Sequence, residues 1–277
     1  MANILNGKEL ATNIQAEIKQ EVKACMIRPS LAVIQIGEDS SSDIYVKNKE
    51  KVCSEVGIYF RHFKFEEGTP ELTIINKIKE LNNDEYVNGI IVQLPIPERY
   101  NEKRIVNTII NSKDVDGLTD INTGRLINGK KTLVPCTPLG ILNMLKHYEI
   151  EIAGKDVVIV GRSKLVGKPL SSLLLNEDAT VTVCHKQTKD LKEKTKQADI
   201  LIVAAGSPNL IKADMVKDGA VVVDVGINRV DNKVKGDVDY DAVAKKASYI
   251  TPVPGGVGPM TIATLLTNVM TCYKNKK

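Results

Sequence analysis

Residues 155–170, Lys-Asp-Val-Val-Ile-Val-Gly-Arg-Ser-Lys-Leu-Val-Gly-Lys-Pro-Leu, decide the fold. The β-branched run Asp156–Val160, closed by Gly161, is typical of a buried parallel strand. A helix is predicted over Pro169–Leu175, because proline costs nothing in a first turn. A strand, a glycine turn and a helix N-terminus favour phosphate, since free amides and the helix dipole attract an anion. A purely structural turn is the alternative, because the two glycines, Gly161 and Gly167, do not have the dinucleotide Gly-x-Gly-x-x-Gly spacing.

The residues after the next predicted strand indicate the cofactor. In a dinucleotide fold, an acid at the tip of the second strand binds the ribose 2′-OH. Here that strand is Thr180–Cys184, which begins nineteen residues after Gly161, and its tip carries no Asp or Glu. Lys186 stands there instead, and Arg162 lies in the first turn nearby, so the cations favour the 2′-phosphate of NADP over NAD. A solvated basic loop is the alternative.

The rest of the chain predicts two α/β units. The second unit has further strands at Ile200–Ala204, Ala220–Val225 and Ser248–Ile250, and this alternation indicates a parallel sheet covered on both faces. The first unit is predicted to contain the strands Leu31–Ile36, Ile58–Phe63 and Gly89–Val92. Helices are predicted over Gly7–Met26, Asp43–Val56, Pro70–Leu81, Arg104–Ile110, Pro138–Tyr148 and Met260–Tyr273.

The composition restricts the class of protein. A length of 277 residues suits about two domains, and 43% hydrophobic with 26% charged residues is typical of a soluble globular protein. The net charge of +4 is spread along the chain without a basic tract, and there are only three Phe and eight Tyr. We therefore expect no nucleic-acid partner, although a mildly basic surface suits anionic ligands.

Cysteine and histidine usage indicates a reducing compartment. The five cysteines are scattered and never form a Cys-x-x-Cys pair, and the chain shows neither a signal peptide nor a long apolar run. We expect a cytoplasmic protein with no transmembrane helix and no membrane partner. Three isolated histidines do not form a ligand pattern, so no metal site is expected.

One lysine of the second predicted helix falls on its apolar face. At about 100° per residue, one arc is shared by Tyr45, Lys49, Val52, Cys53 and Val56. Lys49 lies in the middle of this arc, one turn after Tyr45, on the face that should turn inward. Lysine is rarely buried without cause, and desolvation would make a neutral amine accessible for proton exchange. The alternative is a lysine that snorkels from the edge of the arc.

Three loops carry further candidates. Gln93 stands at the carboxyl end of Gly89–Val92, where ligands of open α/β sheets bind, although strand-end glutamines are often only solvated. Asp116 lies in Lys113–Gly117, which could equally be a plain Asp-Gly turn. The Gly/Pro-rich loop Thr251–Thr261 allows the backbone to approach a flat ligand closely, or it acts as a stiff hinge between domains.

Seven blocks in a fixed order carry a family resemblance. They are Tyr45–Lys49, Gly89–Pro97, Asp114–Thr119 with Gly124–Leu126, Pro135–Pro138, Gly161–Gly167, Gly226–Asn228 and Thr251–Thr261. In these blocks the chain resembles, nearly end to end, the bifunctional methylenetetrahydrofolate dehydrogenase/cyclohydrolase family. The resemblance implies NADP-dependent oxidation of 5,10-methylenetetrahydrofolate to 5,10-methenyltetrahydrofolate, and hydrolysis of that product to 10-formyltetrahydrofolate. The chain departs from the family at Lys186, where the family commonly has Ser.

The resemblance also implies roles for individual residues. Asp116 would bind the pterin, Tyr45 would stack on the ring system, Lys49 would assist proton transfer as the ring opens, and Gln93 would tune the lysine. Further substrate contacts are implied for Val92, Leu94, Pro254, Gly255 and Gly256. Cofactor contacts are implied for Gly161, Arg162, Ser163, Lys186 and Ile227.

The implied architecture is α/β, with two α/β domains and a cleft between them that binds folate. Residues 1–137 would form the catalytic folate-binding domain, and a C-terminal helix, residues 256–277, would pack back onto it. Residues 138–255 would form a Rossmann-like NADP-binding domain, through which members of the family form homodimers.

Two other classes of protein fit parts of the sequence. A shikimate or amino-acid dehydrogenase has a similar two-domain architecture but needs no inward lysine beside a tyrosine. A nucleotide-sensing protein could keep the dinucleotide fold without catalysis, but it would not need Lys49, Gln93 and Asp116 together. A turnover assay with methylenetetrahydrofolate and NADP separates the three classes.

Overall fold

A computed structural model describes residues 1–230 and 233–276 of the chain. Within these ranges the strands are β1 (Asn3–Ile4), β2 (Ser30–Ile36), β3 (Tyr59–Phe65), β4 (Gly89–Val92), β5 (Asp156–Val160), β6 (Thr180–Cys184), β7 (Ile200–Val203), β8 (Val221–Asp224), β9 (Asn228–Val230), β10 (Lys233–Lys235) and β11 (Tyr249–Ile250). The α-helices are α1 (Gly7–Lys23), α2 (Ser40–Val56), α3 (Glu71–Asn83), α4 (Glu102–Val106), α5 (Asp120–Ile127), α6 (Cys136–His147), α7 (Gly167–Leu175), α8 (Leu191–Thr195), α9 (Tyr240–Val243) and α10 (Val257–Asn275). No helix in the described ranges has both the length and the apolar character that a membrane span requires.

The chain forms two compact units that interleave along the sequence. One contains Met1–Ala11, Leu126–Gly129 and Thr137–Thr261, and we call it the six-stranded unit after its main sheet. The other contains Thr12–Arg125, Lys130–Cys136 and the C-terminal stretch from Ile262, and we call it the three-stranded unit. The chain passes from one unit to the other inside α1, α5, α6 and α10, and once more between Gly129 and Lys130. The predicted domain boundary at residue 137 stays a prediction, and residue 277 of the predicted C-terminal segment lies outside the described residues.

The three-stranded unit is built around β2. Its sheet has the order β3-β2-β4, with both pairs parallel. Every residue of β2 is buried, because helices cover both faces of the sheet. Leu31 and Val33 pack with apolar residues of α1, α2 and α10, whereas Ala32, Ile34 and Ile36 pack with those of α3 and α4. These two cores hold the carboxyl ends of β2 and β4 in place.

The six-stranded unit contains the dinucleotide-type sheet. Its order is β1-β11-β8-β7-β5-β6, and all its pairs are parallel. Val160 pairs with Cys184 and with Val203, which in turn pairs with Asp224. The carboxyl ends of these four strands are therefore level, and the loops that follow them lie at one edge, where open α/β sheets bind ligands. The predicted fold class, two α/β units with a Rossmann-like parallel sheet, is confirmed.

The predicted bounds agree with the observed ones for three strands, of which β4 is fully buried and β5 is buried except for Asp156. β4, β5 and β6 have the predicted bounds. The helix predicted from Asp43 begins earlier, at Ser40, because the Asp39 side chain accepts a hydrogen bond of 2.7 Å from Ser42 N and caps the first turn. It ends as predicted at Gly57, whose φ of 89° is left-handed.

Several elements differ from the prediction or were missed. The helix predicted over Arg104–Ile110 is α4 instead and begins earlier, because the Asn101 side chain accepts a hydrogen bond from Arg104 N at 3.0 Å. Strand β1, helix α5 and the hairpin of β9 and β10 were not predicted. β1 has two residues and pairs with β11 alone, so it is too short to show a period in sequence.

Candidate active site

Lys49 and Gln93 meet in the three-stranded unit. Lys49 lies on α2 and Gln93 directly follows β4. Lys49 Nζ donates a hydrogen bond of 2.7 Å to Gln93 Oε1. Gln93 is only 7% exposed, and its amide is also held from the other end, because Nε2 donates to the Leu94 carbonyl oxygen at 2.7 Å. The lysine head group is therefore held in place by an oriented, uncharged acceptor.

Asp116 reaches the same region because its segment runs beside β4. Ile90 of β4 pairs in parallel with Asp114. Since parallel strands advance together, this register places Asp116 level with Val92, one residue before Gln93. The carboxylate and the glutamine amide thus lie about level with each other, one on the segment beside β4 and the other directly after β4.

Two residues that the sequence analysis did not single out fix the position of this carboxylate. Gly117 has φ of 66°, and a Cβ there would lie 2.7 Å from Pro135 N, so glycine is required. Asn268 of α10 is buried and donates through Nδ2 to the carbonyl oxygens of Val115 at 2.8 Å and Val134 at 3.1 Å. The Asp-Gly pair indicated the turn in the sequence, whereas nothing local indicated the role of Asn268, which contacts residues more than 130 positions away.

The electrostatics of the cluster follow from burial. Burial raises the pKa of the Asp116 carboxyl above its ordinary value, and the nearby charge of Lys49 opposes this shift. The Cys136 Sγ donates to Asp116 Oδ1 at 3.5 Å, and burial raises the pKa of the Cys136 thiol well above its usual range. Cys136 is therefore a protonated donor to the carboxylate rather than a nucleophile. An amine and a carboxylate fixed in this way can exchange a proton and bind the N–H groups of a heterocycle.

The remaining residues of the predicted substrate site differ in accessibility. Tyr45 is 47% exposed, so the prediction that this arc of α2 turns inward is wrong at Tyr45, the first residue of the arc. The reason is that the core covers α2 only from Val46 onward. Val92 is 4% exposed and packs in the core, so a ligand could contact only its backbone. Leu94 is partly exposed.

Pro254, Gly255 and Gly256 lie in the six-stranded unit, in the loop between β11 and α10. Gly255 has φ of 110°, and its carbonyl oxygen accepts a hydrogen bond of 2.8 Å from Lys8 N. A Cβ on Gly7 would collide with the Gly256 carbonyl. The loop is therefore held closely against the start of α1, a contact for which the sequence offered no signal.

The loops after β5 and β6 provide the features expected of a cofactor site. Gly161 has φ of 125°, and a Cβ there would collide with the Ala204 carbonyl, so the turn needs glycine. Gly161 N donates to Cys184 O at 2.8 Å, which joins the two strand ends. The exposed side chains of Arg162 and Lys186 therefore start from adjacent strand ends. Two cations and no carboxylate at these tips fit an NADP 2′-phosphate.

Ser163 and Ile227 complete the predicted cofactor residues. Ser163 Oγ accepts a hydrogen bond from Val166 N at 3.1 Å, so its hydroxyl hydrogen can still be donated. Ile227 follows β8 and is 54% exposed. Both residues lie at the same edge of the sheet as Arg162 and Lys186, because all four follow parallel strands.

Two buried aspartates at this edge were missed by sequence reasoning. Asp237 accepts hydrogen bonds from the successive amides of Ala205, Gly206 and Ser207, at 2.7, 2.9 and 2.8 Å. Asp224 accepts from Asp237 N at 2.9 Å and from two further amides, and burial raises the pKa of Asp224 to about 6. The pair fixes the loop after β7. The glycines at 226 and 236, where a Cβ would collide with these carboxylates, were the available signal.

We expect Asp237→Ala to destabilise the six-stranded unit by about 3 kcal/mol or more, because three amides would lose a charged acceptor inside the protein. Amide hydrogen exchange at Ala205, Gly206 and Ser207 should accelerate, and urea should unfold the variant at lower concentration. Asp241→Ala, which changes an exposed carboxylate nearby, should stay within about 0.5 kcal/mol. Equal shifts in the two variants would show that the carboxylate does not organise this loop.

The fold and the site define the class of protein. It is a two-unit α/β protein whose six-stranded unit has a dinucleotide-type parallel sheet. Its three-stranded unit carries an amine–carboxylate cluster, Lys49, Gln93 and Asp116, at its sheet edge. Residues 5–116 match the catalytic domain of the tetrahydrofolate dehydrogenase/cyclohydrolase family, and residues 135–277 match its NAD(P)-binding domain. The chain belongs to this family, as the sequence predicted.

Individual relatives agree over the whole length. The Bifunctional protein FolD of Hydrogenobaculum sp. (strain Y04AAS1) is 53% identical over 276 residues, 99% of each chain. A crystal structure of the bifunctional FolD dehydrogenase/cyclohydrolase from Campylobacter jejuni has a TM-score of 0.98 and 49% identity, with both chains fully covered. The Trypanosoma brucei dehydrogenase-cyclohydrolase, solved with NADP and an inhibitor, has a TM-score of 0.93 and 36% identity over 99% of this chain and 98% of its own.

Proposed function

We propose that this protein catalyses the NADP-dependent oxidation of 5,10-methylenetetrahydrofolate to 5,10-methenyltetrahydrofolate and the hydrolysis of that product to 10-formyltetrahydrofolate. The observation that carries the proposal is the 2.7 Å bond between Lys49 Nζ and Gln93 Oε1 beside the Asp116 carboxyl, in a chain that matches both domains of the family. NADP, when bound, supplies the hydride acceptor for the oxidation. The other two classes, a shikimate-type dehydrogenase and a nucleotide sensor, do not need this amine–amide pair.

The residues of the three-stranded unit would act as follows. Asp116 would accept hydrogen bonds from the aminopyrimidine edge of the pterin, with Cys136 holding its carboxyl oxygen. Water would add to the methenyl carbon and lose a proton to Lys49. The bond from that carbon to the ring nitrogen would then break, and Lys49 would give the proton to this nitrogen. Gln93 would hold the amine in reach through an acceptor without charge, so that the lysine can both give and take a proton. Tyr45, Val92 and Leu94 are proposed to contact the substrate, as are Pro254, Gly255 and Gly256.

The decisive assay supplies methylenetetrahydrofolate and NADP and follows two absorbances, that of the reduced cofactor and that of the methenyl compound. We expect the reduced cofactor to accumulate and the methenyl absorbance to rise and then fall as hydrolysis proceeds. Absence of turnover, together with turnover of shikimate, would assign the chain to the other dehydrogenase class. Binding of NADP without any turnover would indicate a sensor.

On the cofactor side, Gly161, Arg162, Ser163, Lys186 and Ile227 are the proposed NADP-binding residues. Arg162 can bind the 2′-phosphate in bidentate fashion, whereas Lys186 acts as a flexible point charge, so Arg162 should contribute more. Both side chains are exposed, so water and salt weaken each contact. The family commonly has Ser at the position of Lys186, and here the ammonium would serve the same anion.

We expect Lys186→Ala to raise the KM for NADP about two- to five-fold and to leave the KM for NAD almost unchanged, because a solvated ion pair is worth at most about 1 kcal/mol. The effect should shrink as salt is added. Lys189→Ala, at another exposed lysine of the same loop, should change neither constant. Equal effects on NADP and NAD, or a wild-type preference for NAD, would show that these cations form only a solvated basic rim.

Two further proposals concern the state of the protein. We propose a homodimer formed through the six-stranded unit, as in the family that the sequence resembles, and sedimentation at micromolar concentration tests it. We also propose a cytoplasmic location, since all five cysteines are free thiols and free thiols persist in reducing compartments. Fractionation of cells that express the chain tests this location.

A further inference from the structure

A basic cavity lies at the far end of β4 from the amine–carboxylate cluster. It has a volume of about 520 Å³, and its lining comes from the three-stranded unit alone. Val87 and Asn88, which precede β4, line it, whereas Gln93 follows β4. Five residues of extended chain span roughly 16 Å, so the cavity is separate from the proposed active site. Its volume is within the range of small-molecule sites, about 300–1,000 Å³.

The charges of this cavity are of one sign. Lys113, Arg125, Lys131 and Lys276 line it, and no Asp or Glu of the described residues does. The charge of Lys276 also contributes, after burial, to a lowered pKa of Lys113. The carboxylates of Asp84 and Glu85 oppose this shift, but neither residue is among those that line the cavity. A concave surface with charges of one sign concentrates the field and attracts a counter-ion.

One of the four cations is built into the wall. Lys113 is 9% exposed, and its Nζ donates to the carbonyl oxygens of Leu81 at 3.0 Å, Asn82 at 2.8 Å and Asp84 at 2.8 Å. These carbonyls belong to the C-terminal end of α3, where a cation is favourable. All three donors of the ammonium are used, so Lys113 supplies a fixed positive charge rather than a direct contact.

Other donors remain available for a ligand. Within residues 1–230 and 233–276, Arg125 and Lys131 have no side-chain hydrogen bond or ion pair. Asn88 is 6% exposed; its Oδ1 accepts from Ser30 N at 2.9 Å, while its Nδ2 has no acceptor among the same residues. A nearly buried amide with an unused donor group, on a wall with two free cations, suits a ligand rich in acceptor oxygens.

We propose that this cavity binds a small polyanion of the phosphate class. Lys113 and Lys276 set the positive potential, Arg125 and Lys131 contact the anion oxygens, and the Asn88 amide donates to the same ligand. The site lies in the three-stranded unit, and the proposed cofactor site lies in the six-stranded unit. The two proposed sites therefore share no residue.

The test is calorimetric titration of pyrophosphate into the protein saturated with NADP at low salt, so that the cofactor site does not bind the probe. We expect saturable binding of one pyrophosphate per chain that weakens as salt is added. The double variant Arg125→Ala with Lys131→Ala should bind at least about ten-fold more weakly. Lys130→Ala, at an exposed lysine next to Lys131 that does not line the cavity, should bind like the wild type.

Asn88→Asp is a second, shape-conserving probe. The aspartate keeps an acceptor for Ser30 N, so the fold should persist, but it places a negative charge in the cavity and removes the amide donors. We expect this variant to lose pyrophosphate binding while its far-ultraviolet circular dichroism stays that of the wild type. The proposal would be overturned if the wild type showed no saturable binding, or if the double variant and Asn88→Asp both bound pyrophosphate as tightly as the wild type. The cavity would then be only a solvated basic surface.

Discussion

Replacing Lys49 with alanine should abolish hydrolysis of 5,10-methenyltetrahydrofolate while the folded protein still binds folate. Lys49 Nζ donates a hydrogen bond of 2.7 Å to Gln93 Oε1. Burial raises the pKa of the nearby Asp116 carboxyl, and the charge of Lys49 opposes this shift. The methyl side chain of alanine supplies neither the hydrogen bond nor the charge. A positioned acid–base group contributes about 10²–10⁴-fold to a rate, so kcat for hydrolysis should fall by at least that factor. The loss of methenyl absorbance measures this rate, and calorimetric titration with the folate measures binding.

The matched control for this change is Lys47→Ala, on the same helix. Lys47 is exposed and lies off the arc that carries Lys49, so its loss should leave hydrolysis within about two-fold of the wild type, as is usual for surface substitutions. Gln93→Leu should lower hydrolysis less than Lys49→Ala, because the amine would lose its orientation but not its chemistry. Undiminished hydrolysis in Lys49→Ala would contradict the assignment of proton transfer to Lys49.

Much of the fold could be predicted from the sequence because most strands are short apolar runs bounded by turns. Asp156–Val160 is a β-branched run bounded by a turn, and the observed β5 has these bounds. Elements whose existence depends on distant partners could not be predicted. β1 exists only because β11 pairs with it, and two residues carry no period.

The residues of the candidate site likewise fall into those that the sequence indicated and those that it did not. Helical periodicity was sufficient to single out Lys49, because a lysine on an apolar arc breaks the expected pattern. The same projection was wrong about Tyr45, since it cannot show where the cover of a helix begins. Asn268 and Asp237 act through backbone groups that are distant in sequence; Asn268 leaves no local signal, and the signal for Asp237 is indirect, in the glycines at 226 and 236. Roles of this kind become visible only when the hydrogen-bond partners are in place.

Asp116→Ala is the second change for which we expect a large effect, and it should reduce both activities together. A carboxylate that accepts two hydrogen bonds from the aminopyrimidine edge would contribute about 1.5–3 kcal/mol through each. Their loss corresponds to roughly 10²–10⁴-fold in kcat/KM for oxidation and for hydrolysis alike, because both reactions use the same bound pterin. Cys136→Ala removes the 3.5 Å donor to this carboxylate, together with the sulfur contacts to Val115 O and Asn268 Nδ2, but keeps the carboxylate itself, so it should lower both activities much less. A loss of one activity alone would show that Asp116 is not the shared anchor.

Stability separates this role of Asp116 from a merely structural one. Its pKa is raised in the folded protein, chiefly by burial, so folding disfavours the ionised form. The stabilisation of a carboxyl with a raised pKa is present below its unfolded pKa and is lost as the pH rises through its folded pKa. Wherever Asp116 is ionised in the folded protein its burial therefore costs folding free energy, and removing the carboxyl should leave the free energy of unfolding unchanged or higher. Denaturant unfolding of Asp116→Ala at pH 7 measures this, and a marked loss of stability would mean that the carboxylate holds the fold rather than the substrate.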